Sequence, residues 1–179
     1  EDTRKELTYL TISDIYKRMT TMDKDYLKGY LVNYVGSLRA LQLWFHSAHI
    51  LAKGTGFAGD HVDLYGRIYN EITEEIDTAI EKAVGITNDE VMGCPRVITY
   101  KAMEALMDYP VPTNATALKI ALSALALVKS YLAFVDKMFG DLEEAGELSL
   151  GLNDFLAQSA NTFEGYAYLL QQRVKTEMD

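Results

Sequence analysis

The residues best suited to chemistry in this sequence are its histidines. All three fall within sixteen positions, as His46, His49 and His61. Neutral imidazole is the commonest protein ligand for transition metals such as iron, zinc and copper. A glycine-containing turn separates His49 from His61, so both rings can converge on one metal, whereas for His46 we favour a packing or hydrogen-bonding role. The sequence therefore predicts a metal site built on His49 and His61.

The carboxylates that could complete such a site lie further along the chain. Residues 26–59 contain no Asp or Glu, whereas Asp77 and Glu81 are four apart and therefore share one helical edge, with Glu74 one turn earlier. This edge can supply metal ligands, or it can be a solvated acidic face. A metal site with two imidazole ligands, carboxylate ligands and unfilled coordination positions favours redox-active iron over magnesium or calcium.

The histidines lack the spacing of a di-iron site inside one helical bundle. Such sites use Glu-x-x-His pairs, and no histidine here has Glu three positions before it. A site with two histidines and two carboxylates must then be assembled in another way, for example across a subunit contact.

Composition narrows the class of protein. The chain has 179 residues, enough for one domain, and its net charge of −9 favours a cationic partner over a surface that coats nucleic acid. Its single cysteine, Cys94, excludes an intrachain disulfide and a thiolate zinc site. No Walker motif, nucleophile elbow, signal-like segment or uncharged apolar run of about 20 residues is present. We expect a cytoplasmic protein without a membrane span.

Apolar residues recur at helical spacing in four segments, which predicts four amphipathic helices. Their apolar stripes cover residues 27–52, 60–84, 118–139 and 152–174. Short turns near 54–59 and 140–146 make each pair an antiparallel hairpin. We expect Thr113 or Asn114 to cap the third helix and Gly140 to end it.

The connection between the two hairpins is long. It runs from Gly85 to Pro112, and residues 96–106 within it have the spacing of a short helix. Two hairpins joined by one long crossover is the ferritin-like connectivity. We therefore predict an all-α, ferritin-like four-helix bundle over residues 25–179, preceded by an arm or short helix over residues 1–24.

The amino-terminal arm has no net charge to attract DNA. Its five basic residues are balanced by five acidic ones, so few phosphate counterions would be released on binding. We expect DNA binding by this arm to be weak or absent.

A group of residues around the two histidines resembles the fingerprint of the Dps family, the mini-ferritins that protect DNA during starvation. The group consists of His49, Lys53, Gly54, Phe57 and His61. Further along, Asp77-Thr-Ala-Ile-Glu81 followed by Lys-Ala is similar to the acidic motif of the family's second helix. The resemblance extends over roughly residues 25–175.

The resemblance implies a dodecameric hollow shell that acts as a ferroxidase. Ferrous iron is oxidised there, usually by hydrogen peroxide and otherwise by dioxygen, and is stored as a ferric mineral. His49 and His61 of one subunit would face Asp77 and Glu81 of a twofold-related neighbour. The alternative is a catalytically silent shell or a nucleic-acid-associated structural protein that keeps the bundle alone.

The resemblance also implies a route for iron entry. Family shells place acidic residues around a threefold axis near the end of the third helix, where this chain has Asp136, Asp141, Glu143, Glu144 and Glu147. Asp141, Glu144 and Glu147 are the implied iron-binding residues of such a pore. The same cluster can be a solvated turn.

The chain departs from the family pattern at three places. Ile50 follows the first histidine where the family commonly has Trp, and Tyr65 stands where it often has Asp. The interval from His61 to Asp77 is one residue longer than usual, which corresponds to about 100° of helix rotation. Either the extra residue is absorbed before the helix begins, which the apolar register favours, or His61 turns away from the metal.

Overall fold

The structure is a computed structural model that describes residues 26–178, and the predicted arm over residues 1–24 lies outside this range. The described residues form helices and turns without a strand, which confirms the all-α prediction. Five α-helices follow one another along this part of the chain: α1 (Tyr26–Leu51), α2 (Arg67–Thr87), α3 (Pro95–Asp108), α4 (Ala117–Glu144) and α5 (Leu150–Met178). Four of them match the predicted long helices, and α3 is the predicted helix of the crossover.

Helix α1 is the central element because it packs against α2, α3 and α4. The second hairpin, α4 with α5, closes the other side of one shared apolar core. Helix α3 approaches α1 closely at Gly36, where a Cβ atom would lie 2.5 Å from the Cβ of Lys101. Trp44 holds the end of the crossover by donating its indole N–H to the Pro110 carbonyl at 2.6 Å. The crossover is thus fixed along α1 rather than free.

The predicted cap of α4 is wrong by a few residues. Thr113 and Asn114 lie in the turn before the helix, where Asn114 has a φ of 60°. The cap is Thr116, whose hydroxyl accepts a hydrogen bond from the Lys119 N–H at 3.2 Å. A polar residue with extended backbone directly before the first helical turn is what an N-cap requires.

The predicted end of α4 is also wrong, because Gly140 lies inside the helix. The apolar face continues past it to the fully buried Leu142, so packing keeps the backbone helical. The helix ends at Glu144, and Gly146 then adopts a φ of 71°. Glu147 donates its N–H to the Leu142 carbonyl at 2.9 Å, which is the hydrogen bond of a Schellman motif.

The segment before α2 is a π-helix over Gly59–Gly66, continuous with α2. In a π-helix each backbone hydrogen bond joins residues five positions apart, one more than in an α-helix. The interval from His61 to Asp77, which is one residue longer than in the Dps pattern, therefore begins inside this π segment rather than in a loop before the helix. Ile68 and Ile72 beyond the π segment remain fully buried, so the apolar register of α2 is kept.

Helix α4 is the one helix in the described part of the chain whose length and composition would allow it to cross a membrane. A core helix of a bundle has the same composition. Nine residues of α4 are buried in the core between α1 and α5.

A polar network joins the four long helices inside the bundle. Tyr34 of α1 donates its hydroxyl to Glu75 of α2 at 2.9 Å, and Ser159 of α5 donates to the same carboxylate oxygen. Tyr131 of α4 lies 3.1 Å from the Ser159 hydroxyl. Because Ser159 donates to Glu75, it accepts from Tyr131, and every hydroxyl points toward the carboxylate. Burial raises the pKa of Glu75, and the bonds from Ser159 and Tyr34 offset only part of this.

We expect Glu75→Gln to remove a pH dependence of stability. The pKa of Glu75 in the folded protein is above the ordinary 4.5, so between these two pKa values the folded state binds more protons than the unfolded state. The free energy of unfolding therefore falls as pH rises through that window. Glutamine can accept the same two hydrogen bonds without a buried charge. Urea unfolding across that window should show the native protein losing stability relative to the variant as pH rises. A constant difference between them would contradict the prediction.

Candidate metal centre

The structure brings His49 and His61 together at the junction of α1 with the π segment. Their rings stack with centroids 3.9 Å apart and planes inclined by 14°. Each ring also bonds to the backbone of the other residue. His61 Nδ1 lies 2.8 Å from the His49 carbonyl oxygen, and His49 Nδ1 contacts the His61 carbonyl oxygen.

These reciprocal bonds determine which ring nitrogen can bind a metal. A carbonyl oxygen only accepts, so the Nδ1 atoms of His49 and His61 must each carry a proton. In the neutral ring, the lone pair is then on Nε2. Histidines that bind metals usually donate their other ring N–H to a carbonyl or carboxylate in this way, which fixes tautomer and orientation. Both rings are therefore prepared as Nε2 ligands.

Aromatic side chains extend the stack on both sides. Phe57 lies against His61 at 5.1 Å between centroids, and Tyr69 of α2 lies 5.3 Å from His49. His46 stacks on Tyr69 at 4.8 Å and is 6.3 Å from His49. This contact agrees with the packing role expected for His46.

Gly66 leaves room for the His61 carbonyl of its own π turn and for the His49 ring of α1. A Cβ atom at this position would lie 2.5 Å from the His61 carbonyl oxygen and 3.0 Å from His49 Nδ1. Backbone atoms cannot rotate away from such a contact. Sequence reasoning missed Gly66, although a glycine inside a helical pattern is a signal for a close approach.

We expect Gly66→Ala to destabilise the fold by about 1–3 kcal/mol, the usual cost of overpacking, and to separate the two histidines. Urea unfolding would measure the first effect, and NMR shifts of the imidazole protons the second. Gly85→Ala is the matched control, because a Cβ atom there meets nothing within 4 Å. That helical control should be more stable by about 0.5–1 kcal/mol. Equal stability of the two variants would contradict the role given to Gly66.

The other side of the π segment is held by a buried ion pair that the sequence did not reveal. Asp60, next to His61, accepts two hydrogen bonds from Arg173 of α5, at 2.6 and 2.8 Å. The two side chains are only 4% and 11% exposed. A two-point bond between planar groups fixes orientation as well as distance. His61 therefore lies on a segment anchored to α1 on one side and to α5 on the other.

The structure does not bring the predicted carboxylates to the histidines within one chain. Asp77 and Glu81 are exposed on α2, as is Glu74. His61 and Asp77 are sixteen residues apart along nearly continuous helix, so they lie on the order of 20 Å apart. Within the described residues, no three His, Cys, Asp or Glu side chains are placed to hold one metal ion. A site that uses both groups needs two chains.

Tyr65 and Ile50, the two positions at which the sequence departs from the Dps pattern it resembles, differ in exposure. Tyr65 is 1% exposed and packs in the core, 6.3 Å from Phe45 between ring centroids, so it is a packing residue. Ile50 is 61% exposed beside His49.

Only some of the carboxylates in the acidic cluster around the end of α4 are available to bind metal. Asp141 accepts hydrogen bonds from Tyr30 and Lys137, and these bonds, that from Lys137 foremost, lower the pKa of its carboxyl. The other members of the cluster are exposed: Asp136, Glu143, Glu144 and Glu147. A pore would therefore rely mainly on Glu144 and Glu147.

Comparison with known proteins does not identify a family. No protein-family model matches the chain, and a search of curated proteins finds no significant match.

Proposed function

We propose that this protein is an iron-oxidising and iron-storing mini-ferritin of the Dps type, a ferritin-like bundle that assembles into a hollow homododecamer. The observation that carries the proposal is the pair His49 and His61, each with Nδ1 bound to a backbone carbonyl and Nε2 left to bind metal. The acidic pair Asp77 and Glu81, exposed on α2, would complete the site from a neighbouring subunit.

The side chains suit the oxidation of iron. Two ferrous ions give one electron each to hydrogen peroxide, which takes up two protons and leaves as two water molecules. Neutral imidazole binds ferrous iron without adding charge, whereas the carboxylates of Asp77 and Glu81 stabilise the higher charge of the ferric product. With only these ligands, coordination positions stay open for the oxidant.

The surface around the histidines supports assembly. Ile50 and Val62 each follow one of the two histidines and are each 61% exposed, and Phe57 is 47% exposed. Apolar side chains grouped at one place on a surface are typical of a protein interface. A twofold interface presents the same patch from both subunits, which would place two identical sites at one contact.

The test is stoichiometric iron oxidation by the purified assembly. Ferrous iron is added without oxygen, then hydrogen peroxide, and oxidation is followed by absorbance while electron microscopy detects mineral cores. The expected result is two ferrous ions oxidised per peroxide and a dense core in each shell. His46→Ala and Glu74→Gln are matched controls for a histidine and a carboxylate near the site, and should oxidise iron at the native rate.

An intact shell that oxidises iron no faster than buffer would contradict the proposal and support the alternative of a catalytically silent shell. A chain that oxidises iron as a monomer would contradict the intersubunit arrangement.

A further inference from the structure

Helix α3 is apolar on two opposite faces. The face that packs on the bundle holds its buried residues, Val97, Ile98 and Ala102. The opposite face carries Tyr100, Met103 and Met107, which are 41%, 57% and 77% exposed. A helix that only covers a bundle presents polar side chains to solvent. Grouped apolar side chains on the outer face are instead typical of a surface that binds another protein.

The exposed face has the spacing of a helix that packs along a second helix. Tyr100, Met103 and Met107 are three and four residues apart and form one row, which we call the α3 stripe. Alternating steps of three and four residues are the pattern of a coiled-coil contact. Methionine side chains are flexible and adapt to the surface that they meet. The α3 stripe therefore fits a helical partner.

The charges at the two ends of the stripe are complementary to each other. Arg96 lies one turn before the stripe and Asp108 directly follows it, and both side chains are exposed. In two antiparallel copies of α3, Arg96 of each copy faces Asp108 of the other, which gives two ion pairs related by a twofold axis. A parallel pair would bring like charges together. The helical partner that best complements the stripe is thus a second copy of the same helix.

Exposed apolar side chains lead from α3 to the surface around the histidines. Pro110, just beyond α3, accepts the hydrogen bond from Trp44 at 2.6 Å, so this end of the helix lies level with Leu43 of α1. Leu43 is 43% exposed, and the exposed Ile50 follows seven residues later on the same face of α1. The α3 stripe and the patch beside His49 can therefore belong to one contact.

We propose that the α3 stripe is the centre of the twofold contact between two copies of this chain. The two α3 helices lie antiparallel, with the axis close to Met103. This inference rests on the proposed function, because it locates the subunit contact that completes the proposed metal site.

The position of the axis brings the start of the partner's α1 level with His49. Gly36 lies against Lys101 and Ala102 where α1 and α3 cross, so an axis at Met103 is level with a point on α1 one or two residues beyond Gly36. The helices α1 of the two copies then run antiparallel on either side of this point. His49 lies as far beyond the point as Tyr26, the first residue of α1, lies before it, to within about one residue.

The start of α1 lies beside the end of α2 that carries Glu81. Tyr34 of α1 bonds Glu75 of α2, and the two helices run antiparallel. Eight residues back along α1, at Tyr26, are therefore level with eight residues forward along α2, at Ala83. Ala83 is within one helical turn of Glu81. An axis chosen from α3 alone thus places His49 level with Glu81 of the partner subunit.

Charge reversal tests the antiparallel pairing. Arg96→Asp and Asp108→Arg each place like charges at both ends of the contact. Each should raise the concentration at which subunits dissociate about tenfold or more, as measured by sedimentation velocity. The double variant Arg96→Asp/Asp108→Arg exchanges the two charges, so opposite charges face each other again and native association should return. This double variant is the matched control, because it carries both substitutions and has the native net charge.

Disulfide trapping tests the position of the axis. In a Cys94→Ser background, Met103→Cys should form an interchain disulfide with its own copy under mild oxidation, because a disulfide needs Cα atoms about 4.4–6.8 Å apart. Met107→Cys is the matched control. It lies four residues from the axis, so its two copies are about 12 Å apart along the helices and should stay reduced.

Dissociation by both single charge variants, recovery in the double variant and trapping at position 103 alone would support the inference. Single charge variants that associate like the native protein, or equal trapping at positions 103 and 107, would overturn it and leave the iron test of the proposed function unaffected. A shell that is trapped through Met103→Cys but does not oxidise iron would contradict the proposed function and support the α3 contact.

Discussion

Mixed assemblies of His49→Ala and Asp77→Ala subunits should recover about half of the native iron-oxidising activity at each hybrid twofold contact. Each variant alone should lose at least about 10- to 100-fold, the range that follows even from loss of residues supporting a metal ligand. In a hybrid contact, one site combines the two defects. The other combines the native histidines of one subunit with the native acids of its neighbour.

The control mixes two variants that each remove a histidine, so that both defects affect the same half of the proposed site. His49→Ala with His61→Ala should not recover activity, because each of the two sites at a hybrid contact then lacks one histidine. Native mass spectrometry would verify that hybrids form. Recovery in both mixtures would contradict the intersubunit assignment, and native activity of His49→Ala alone would contradict the ferroxidase site itself.

Helix positions could be predicted because burial repeats along the chain with a fixed period. The stripe that includes Ile68 and Ile72 is buried as expected, and the crossover helix lies where its apolar spacing indicated. The ends of α4 could not be located in the same way. Gly140 is compatible with the end of a helix, but packing of the next turn, through Leu142, extends the helix past it.

The histidine pair could be predicted from clustering, but its geometry could not. The stack of His49 on His61 depends on the π segment and on the missing side chain of Gly66. Sequence periodicity describes which face of a helix is buried. It does not report a change from i→i+4 to i→i+5 hydrogen bonding, which alters the backbone without altering the apolar pattern beyond it.

Pairings between polar residues that are far apart in the chain could not be predicted from the sequence either. Asp60 and Arg173 are 113 positions apart, and each looks like an ordinary surface charge in its own helix. Glu75 is one of several acids on α2 and differs from its neighbours only because Tyr34 and Ser159 point at it. Such pairs follow from how the helices dock, which one sequence does not specify.

Removal of the Arg173 side chain should be the most destabilising single change considered for this fold. Arg173→Ala leaves the Asp60 carboxylate buried without its cation, and breaking a buried pair in this way typically costs about 3–5 kcal/mol. For a chain of this length, that corresponds to a fall in melting temperature of about 6–20 °C. Urea and thermal unfolding at one protein concentration would measure it. Because Asp60 precedes His61, the iron-oxidising activity of the folded fraction should also fall.

The matched control is a surface ion pair between an arginine and a carboxylate. Arg67 and Glu71 are bonded at 2.7 Å, but their side chains are 56% and 39% exposed, so Arg67→Ala should cost no more than about 1 kcal/mol. In a double-mutant cycle, Asp60→Asn should make the loss of Arg173 much less costly, because no buried charge is then left unpaired. If Arg173→Ala and Arg67→Ala unfold at the same urea concentration, the ion pair does not anchor the segment that carries His61.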